Sequence, residues 1–338
     1  MNRAIRPLLA TAVVASLTLT ACSKAEDAAT DAAAAGSSVA AAAQSATNDA
    51  GEVTIEHARG TDTYKKNPSR VVAIGPAIDN LLELGITPAA VVVTPKDVNS
   101  PWRDGRLDGV TIINQTDFKS VPKEEIAAVD PDFIVGDFWS ISPDNYTTLS
   151  AIAPTLGGIG TSGEEIGWKP QIKALGTIFD KEAEADKVIA ADKERFEEMK
   201  KKLPGLKDKT GVVSQYARGS FGAVADPSEP GASFIYDLGM TFPQALTDGS
   251  VPIENGRVTL SPENVGLLAA DFMVIYNRGG DMAEVEATPG YDALPQVTSG
   301  ATNSGNEAVV AGLNVPTSLS RAWVLEQVTP QLEKAAQG

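Results

Sequence analysis

Two stretches of this sequence decide its fold: VPKEEIAAVDPDFIVG at Val121–Gly136 and LSPENVGLLAADFMVI at Leu260–Ile275. They align without gaps, and Glu124 in the first stretch falls on Glu263 in the second. Each stretch predicts a capped short helix that leads into a buried strand, because helical spacing of apolar residues gives way to an apolar run. An internal repeat of this kind predicts two lobes of the same design. A chance match between two ordinary helix–strand units is the alternative.

Apolar runs on either side of these stretches predict further strands that alternate with helices. The predicted strands are Val53–Ile55, Arg70–Ile74, Ala89–Val93, Val110–Ile113, Phe133–Val135, Gly211–Ser214, Phe272–Ile275 and Ala308–Val310. Helices are predicted at Trp168–Phe179, at Lys181–Leu203 and at about Ser320–Ala335. Strands that alternate with helices form mainly parallel sheets with helices on both faces. The predicted fold class is therefore α/β, with two Rossmann-like lobes, each a mainly parallel sheet flanked by helices.

The composition excludes several kinds of function. The 338 residues carry a formal net charge of -16, and such an acidic surface repels nucleic acid. The chain has one cysteine, Cys22, and one histidine, His57. An intramolecular disulfide is therefore excluded, as is a zinc site of four cysteines or of two cysteines and two histidines. Because Cys22 lies near the N-terminus and His57 lies far from every candidate loop, neither thiol nor Ser-His-Asp catalysis is expected.

The N-terminal segment has the pattern of an export signal. Two arginines precede the apolar stretch Leu8–Leu19, which is too short to span a bilayer comfortably. The residues Leu19–Cys22 resemble a bacterial lipobox, which implies cleavage before Cys22 and lipidation of that residue. We expect a signal peptide at 1–21, a lipidated cysteine with a flexible Ala-rich tether at 22–51, and anchoring at the outer face of the cell membrane. A plain secretory signal with a coincidental cysteine is the alternative.

Several landmarks, taken in order, resemble one family: the solute-binding lipoproteins of bacterial importers for ferric siderophores, haem and cobalamin. The landmarks are His57–Gly60, Arg70–Gly75, Glu124–Gly136, Ile152–Thr155, a central helix rich in Ala and Glu, and Leu260–Ile275. The resemblance covers the chain from about Val53 onward and implies two α/β lobes joined by one long inter-lobe helix. We expect an N-terminal lobe at 52–165, an inter-lobe helical region at 166–205 and a C-terminal lobe at 206–338.

The same resemblance assigns a docking role to the two aligned glutamates. In this family one surface Glu on each lobe engages Arg residues of the membrane permease, and these positions match Glu124 and Glu263. Two carboxylates on separate lobes would dock to the two halves of a transporter by charge complementarity. Glu125 is adjacent, so a register error of one is open. A purely structural role at a helix N-terminus is the alternative.

Four loops that follow predicted strands carry aromatic or Arg side chains, and ligands of α/β folds bind at the carboxyl ends of strands. The candidate ligand-binding residues are Trp102, Arg103, Phe138, Trp139, Tyr216, Arg218 and Arg278, together with Arg321 near the start of the last helix. Aromatic rings would clamp a flat or apolar chelate, and guanidinium groups would meet its negative charge. The resemblance also supports Arg278, because catecholate-binding members carry an Arg at the end of this strand. Packing or ordinary surface exposure is the alternative for each residue.

The resemblance implies a non-catalytic monomer that captures an iron(III)-siderophore complex and delivers it to an ABC permease. No metal site is expected in the protein itself, and no cofactor besides the lipid at Cys22. A triply anionic catecholate complex fits poorly, because Gly136–Trp139 and Ala232–Phe234 lack the Arg residues that catecholate binders carry there. A hydroxamate or mixed-ligand siderophore fits the aromatic loops at least as well.

Other ligands and other classes of function stay open as alternatives. Haem is disfavoured because the candidate loops lack a histidine. Cobalamin stays an alternative ligand. A membrane-tethered hydrolase is a rival from another class, although the sequence has no Gly-x-Ser-x-Gly motif. An adhesive lipoprotein is a third reading, but it would not need aromatic and Arg side chains at strand ends.

Overall fold

The computed structural model describes residues 46–48, 51–116 and 120–338. The expected signal peptide at 1–21, Cys22 and nearly all of the tether lie outside these residues, so the assignments made there stay predictions. The described residues belong to one unit, Ala42–Gly338. Among them, no helix has both the length and the apolar character needed to cross a membrane.

Strands and helices alternate along the described chain. The strands are β1 Ala46–Asn48, β2 Glu52–His57, β3 Gly60–Lys65, β4 Val71–Ile74, β5 Ala90–Val93, β6 Thr111–Asn114, β7 Phe133–Gly136, β8 Thr155–Gly157, β9 Gly211–Ala217, β10 Ser220–Val224, β11 Ile253–Glu254, β12 Arg257–Leu260, β13 Phe272–Ile275 and β14 Thr302–Ser304. The α-helices are α1 Ala77–Glu83, α2 Lys123–Ala128, α3 Pro143–Ser150, α4 Trp168–Ile178, α5 Glu182–Lys202, α6 Ser233–Asp237, α7 Gln244–Thr247, α8 Met282–Glu286, α9 Pro295–Thr298, α10 Glu307–Asn314 and α11 Ser318–Ala335.

The first lobe contains an all-parallel sheet with the strand order β6-β5-β4-β7-β8. Every residue of β4, β5 and β7 is buried, because helices cover both faces of the sheet. A small antiparallel sheet, β1-β2-β3, packs beside it through Val53, Ile55 and Tyr64. The mainly parallel sheet predicted for this lobe is confirmed.

The second lobe contains a mixed sheet with the order β11-β12-β10-β9-β13-β14. Only β9, β13 and β14 are parallel, whereas β10, β11 and β12 pair antiparallel. The predicted α/β class holds, but the expectation of a mainly parallel second sheet is wrong. The reason lies at Arg218 (φ 53°) and Gly219 (φ 78°), whose positive φ angles form the two-residue turn of a β-hairpin. The chain therefore returns directly as β10 instead of crossing over through a helix.

The predicted strand Ala308–Val310 is a helix in the structure. It lies in α10, where the Asn306 side chain accepts a hydrogen bond from the Val309 N–H and so caps the helix start. The third parallel strand of this lobe is β14, a few residues earlier. The last helix, α11, begins near its predicted start because Thr317 and Ser320 form a capping box.

One long helix joins the two lobes, as predicted. The 21 residues of α5 are long enough to span about 30 Å. Ala185 near its start packs in the core of the first lobe, and Phe196 in its second half packs in the core of the second lobe. The preceding helix, α4, packs against α1 and β2, and α5 also packs against α6 and α11.

The internal repeat is visible as a shared hydrogen-bond pattern. Asp132 accepts the backbone N–H groups of Ser69 and Arg70 at the start of β4. Asp271, its counterpart, accepts the backbone N–H of Thr210 at the start of β9. In each lobe this carboxylate therefore links the helix–strand unit to the neighbouring parallel strand by hydrogen bonds. Neither short helix has the predicted side-chain cap, and the second is a 3-10 helix at Pro262–Leu268. In the first helix the N-cap residue is Pro122, which has no side-chain oxygen to accept a hydrogen bond.

Candidate ligand-binding cleft

A cavity lies between the lobes, where residues after the parallel strands of the first sheet meet loops of the second lobe. The first lobe contributes Pro76, Asn80, Asp137, Trp139, Ile166, Gly167, Trp168 and Gln171, and the second contributes Pro230, Val315 and Pro316. Pro76 follows β4 and Asp137 follows β7, so the cavity lies at the carboxyl ends of these strands, the usual place for a ligand in an α/β fold.

The loop after β7 forms an aromatic wall of this cleft. The Asp137 carboxylate accepts the Ser140 N–H at 2.6 Å. Arg59 donates to the carbonyl oxygens of Phe138 and Ile141, at 2.8 and 2.7 Å, and its guanidinium lies 4.7 Å from the Phe138 ring centroid. Phe138 is thereby held in place, whereas the Trp139 side chain is 40% exposed. Burial raises the pKa of Asp137. The structure therefore places Trp139 in the wall of the cavity, and the Phe138 ring packs beside it with its centroid 5.8 Å from that of Trp139.

The predicted ligand residues Trp102 and Arg103 instead belong to a hydrogen-bond cluster that links the two lobes. The Asp79 carboxylate accepts hydrogen bonds from Arg103 Nε at 2.6 Å and from Trp102 Nε1 at 2.8 Å. Thr317, the N-cap of α11 in the second lobe, donates to the same carboxylate at 2.8 Å. Arg103 also donates to the Asp97 carbonyl and is only 5% exposed. Its expected role as a ligand contact is contradicted, because its charge is already neutralised by Asp79.

The Trp102 indole lies against the second lobe rather than in an open loop. Its ring centroid is 5.8 Å from that of Trp323, a residue of α11. The four tryptophans of the chain thus all lie at the junction of the lobes, two as this pair and two, Trp139 and Trp168, in the cavity wall. This distribution makes tryptophan fluorescence a direct reporter of events in the cleft.

Arg321 is a buried structural residue, so its predicted role in ligand binding is wrong. Its side chain has no exposed surface and donates to Asp192 at 3.0 Å, to Asp237 at 2.6 Å and to Ser233 at 2.8 Å. The guanidinium also lies 4.1 Å from the centroid of the Phe196 ring. These contacts join α5, α6 and α11, which is why an Arg is found inside the helical layer.

The Tyr216 side chain is buried in the second lobe. The ring packs in the core of the second lobe, 4.8 Å from the Phe221 ring, and is 5% exposed. Burial raises its pKa, and the nearby Glu284 carboxylate raises it further. Its predicted contact with the ligand is contradicted, because strand β9 directs this side chain to the apolar face of the sheet.

The two remaining candidates, Arg218 and Arg278, are exposed. Arg218 is in the hairpin turn between β9 and β10, and Arg278 follows β13, where its backbone N–H donates to the Tyr216 carbonyl at 2.7 Å. Neither guanidinium has a carboxylate within 4.0 Å among the residues that the structure describes. Both charges are thus available to an anion.

Sequence reasoning missed a charged cluster around Tyr276, at the end of β13. Burial raises the pKa of Tyr276. Four nearby charged groups also affect this pKa: Arg278, Glu307, Lys96 and Arg257. Lys96 follows β5 in the first lobe, and its Nζ lies 2.6 Å from Glu307 Oε1 in the second lobe. The rule that selected residues after strand ends would also have selected Lys96, but its partner, distant in sequence, could not be predicted.

His57 has a structural role, as the sequence suggested. The imidazole Nε2 lies 3.1 Å from Asp62 Oδ2, Nδ1 accepts the Arg59 N–H, and the Tyr146 hydroxyl donates to the same Asp62 oxygen. Burial lowers the pKa of His57 despite the opposing effect of Asp62. Across the described residues, no three His, Cys, Asp or Glu side chains are grouped as a metal site would require.

Residues 71–301 match the family described as periplasmic binding protein. The chain belongs to this family. A curated relative, the "Probable siderophore-binding lipoprotein YfiY" of Bacillus subtilis (strain 168), is 30% identical over 195 residues, which are 56% of this chain and 58% of the relative. The chain therefore matches little more than half the length of that relative.

Two solved structures show the same fold as this periplasmic binding protein. One is a periplasmic solute binding protein from Mycobacterium smegmatis, with 27% identity, a TM-score of 0.70 and coverage of 85% of this chain and 100% of that one. The other is Streptococcus pneumoniae PiaA in complex with ferrichrome, with 24% identity, a TM-score of 0.68 and coverage of 84% and 98%. These matches confirm the two-lobe α/β architecture.

The two glutamates predicted to dock a permease are on the surface of this periplasmic binding protein. Glu124 is in the first turn of α2 with 78% of its side chain exposed, and Glu263 is exposed at the start of the 3-10 helix in the other lobe. Hydrogen bonds from its own backbone N–H and from Ser261 lower the pKa of Glu263. Glu125 is also exposed, so the choice between Glu124 and Glu125 stays open.

Proposed function

We propose that this protein is an extracytoplasmic lipoprotein, anchored through Cys22, that binds a ferric siderophore in the inter-lobe cleft. It would deliver this ligand, as a monomer, to an ABC permease for iron uptake. The observation that carries the proposal is the exposed Trp139 in the wall of the inter-lobe cavity, together with the unpaired Arg218 and Arg278 on strand-end loops of the second lobe, in a member of the periplasmic binding protein family. The names of the Bacillus relative and of the ferrichrome complex support the ligand class.

The chemistry of the cleft suits an iron chelate with an apolar shell and a modest negative charge. Trp139 offers an aromatic face at the edge of the cavity. Lys96 pairs with Glu307 at the contact between the lobes. The positive charge of Arg278 acts on the pKa of Lys96, so the Arg278 guanidinium also lies near this contact. A guanidinium about 4 Å from an anion contributes about 4 kcal/mol of attraction at an effective dielectric constant near 20.

The buried arginines narrow the choice of siderophore. Arg103 and Arg321 are occupied by carboxylates, and Arg59 is held by two carbonyl groups. A chelate with three negative charges would need more free cations than Arg218 and Arg278 provide. A hydroxamate or mixed-ligand siderophore is therefore the ligand class that we propose, in preference to a catecholate.

The proposal is tested by titrating the full-length protein, held in detergent micelles, with ferric and iron-free siderophores of each class. All four tryptophans lie at the junction of the lobes, so bound ligand should quench their fluorescence. We expect a ferric hydroxamate to bind with a Kd of about 1 µM or tighter, which corresponds to about -8 kcal/mol. Haemin and cobalamin serve as the competing ligands. Absence of quenching and of thermal stabilisation by every ferric chelate would refute the proposed function.

The delivery step has its own test. The variant Glu124→Ala with Glu263→Ala should abolish iron uptake by cells while siderophore affinity is unchanged, because both side chains are on the outer surface. The variant Glu254→Ala removes another exposed carboxylate of the second lobe and serves as the matched control. Loss of affinity in the double variant would place these residues in the ligand site instead of the docking surface.

A further inference from the structure

We propose that the inter-lobe cavity beside Asn80 and Asp137 is a subsite for a primary ammonium group carried by the bound ferric chelate. This inference rests on the proposed function and names a further property of the ligand. The siderophore would be a hydroxamate with a free amine at the end of a flexible arm.

The orientation of the Asn80 side chain follows from a chain of hydrogen bonds. Gln171 Nε2 donates to the Gly136 carbonyl at 2.8 Å, so Gln171 Oε1 must face the other way. Asn80 Nδ2 donates to that oxygen, also at 2.8 Å. The carbonyl oxygen of Asn80, Oδ1, is thereby fixed on the side away from Gln171.

This oxygen is a buried acceptor in need of a donor. Asn80 is 1% exposed and lines the cavity, and its Oδ1 has no hydrogen-bond partner anywhere in the described part of the chain. Buried polar groups are nearly always hydrogen-bonded, so an unpaired acceptor beside a cavity points to a donor supplied from outside. A ligand hydrogen-bond donor is the partner that this geometry lacks.

The charge and size of the cavity favour an ammonium group over other donors. The Asp137 carboxyl lines the same cavity, is 6% exposed and receives the Ser140 N–H on one oxygen. The start of α4 at Gly167 also borders the cavity and carries only about half a positive charge. Burial raises the pKa of Asp137, so a cation bound beside this carboxyl would favour its charged form. The cavity volume is about 10 Å³, which accommodates roughly one water-sized group, and an ammonium group has that size.

The walls of the cavity also suit a cation. Trp139 and Trp168 contribute indole rings, whose faces attract cations. The three prolines of the lining, Pro76, Pro230 and Pro316, have no side-chain group that would compete for the two oxygen acceptors. Lys169, whose ammonium lies 5.8 Å from the Trp168 ring centroid, is not among the lining residues.

The test compares two ferric chelates that differ in one functional group: a linear tris-hydroxamate with a free terminal amine and its N-acetyl derivative. We expect acetylation to weaken binding to the full-length protein by about 10-fold or more, the loss of one good charged contact. Asp137→Asn keeps an oxygen for the Ser140 N–H but removes the charge, and Asn80→Leu removes the unpaired acceptor. Each variant should bind the free-amine chelate no more tightly than the acetylated one.

Asp144→Asn, an exposed position of α3, serves as the matched control and should preserve the full difference between the chelates. Equal binding of the two chelates by the unmodified protein would overturn the ammonium subsite and leave the proposed function intact. Binding of neither chelate would overturn the subsite, and the proposed function falls with it when every other ferric chelate also fails to bind. Should Asn80→Leu fail to fold, Asp137→Asn and the chelate pair still decide the matter.

Discussion

The two lobes contain the same helix–strand unit, yet they complete their sheets in different ways. In the first lobe β4, the counterpart of β9, leads into α1 and then into the parallel strand β5, so the sheet stays parallel. In the second lobe β9 turns back at Arg218 and Gly219 to form a hairpin, and the sheet becomes mixed. A repeated unit thus determines the framework of each lobe, whereas the segment that follows a strand determines the chemistry of its side of the cleft.

The lobes also differ in how they bury charge. In the second lobe Arg321 is the centre of a buried cluster with Asp192 and Asp237. In the first lobe Asp79 is the centre, and its neighbours include Thr317 from the other lobe as well as Arg103. The following predictions test these differences, beginning with the largest effect.

Removal of the Arg321 guanidinium should destabilise the protein most. Arg321→Met leaves Asp192, which is 0% exposed, without its main partner, and breaking a buried ion pair costs about 3–5 kcal/mol. Arg103→Met should cost less, about 1–3 kcal/mol, because Asp79 keeps the donors Trp102 and Thr317. Guanidinium denaturation followed by circular dichroism measures both values. The exposed Arg218→Met is the control, and an Arg103 effect larger than that of Arg321 would contradict the account.

The repeated carboxylates should behave alike. Asp132→Ala and Asp271→Ala each remove the acceptor for a strand-initiating N–H, and each should lower the free energy of unfolding by about 1–3 kcal/mol. Asp292→Ala, at an exposed position, is the control for loss of a negative charge. The same denaturation assay compares the two variants. If their losses in free energy of unfolding differ by several-fold, the repeat is a match of sequence without a shared role in folding.

Acidification from pH 7.5 to 5.5 should weaken the first lobe through His57, the only histidine of the chain. Burial lowers its pKa in the folded state, so below about pH 6.5 the unfolded state binds the proton more readily. The stabilisation is present above that pH and is lost as the pH falls towards the folded pKa, with a slope of at most about 1.4 kcal/mol per pH unit. Denaturation midpoints across this range should vary less with pH in His57→Gln. An unchanged slope in that variant would remove His57 as the cause.

The smallest effect is expected at the exposed contact between the lobes. Lys96 and Glu307 have 69% and 46% of their side chains exposed, so Glu307→Gln should change the free energy of unfolding by less than about 0.5 kcal/mol. The same variant frees Lys96 for an anionic ligand and should raise the affinity for an anionic chelate about 2-fold, without effect on a neutral one. Fluorescence titration with both chelates measures this, and weaker binding of the anionic chelate would contradict an approach of the ligand to Lys96.

Local patterns allowed much of the framework to be predicted. The strands β4, β5, β7 and β13 are continuous apolar runs, and they were predicted to within about one residue at each end. The strand predicted at Ala308–Val310 was wrong because a short apolar run is compatible with either a strand or a buried helix, and the Asn306 cap decided the outcome. The hairpin was missed because Arg218 was assigned to a loop after a strand and not to the two-residue turn that it forms with Gly219.

The candidate site was harder to predict, since the fate of each Arg depends on partners distant in sequence. Arg321 meets Asp192, 129 positions away, and Asp79 meets Thr317, 238 positions away. An Arg in a strand-end loop or near a helix start gives no sign of such a partner, so the sequence did not show that Arg103 and Arg321 would be occupied by buried carboxylates. Trp139 lines the cavity because the carboxyl end of a central parallel strand fixes the position of the next few residues, and its contact with a ligand stays a prediction.

The central claim, that one ferric chelate contacts both lobes, is tested most directly by amide hydrogen exchange of the full-length protein with and without a bound ferric hydroxamate. The account predicts slower exchange in two separate segments, the loop after β7 at 137–141 and the end of β13 at 276–278, with little change on the outer surfaces around Glu124 and Glu263. Protection confined to one lobe, or to the outer surfaces, would contradict it.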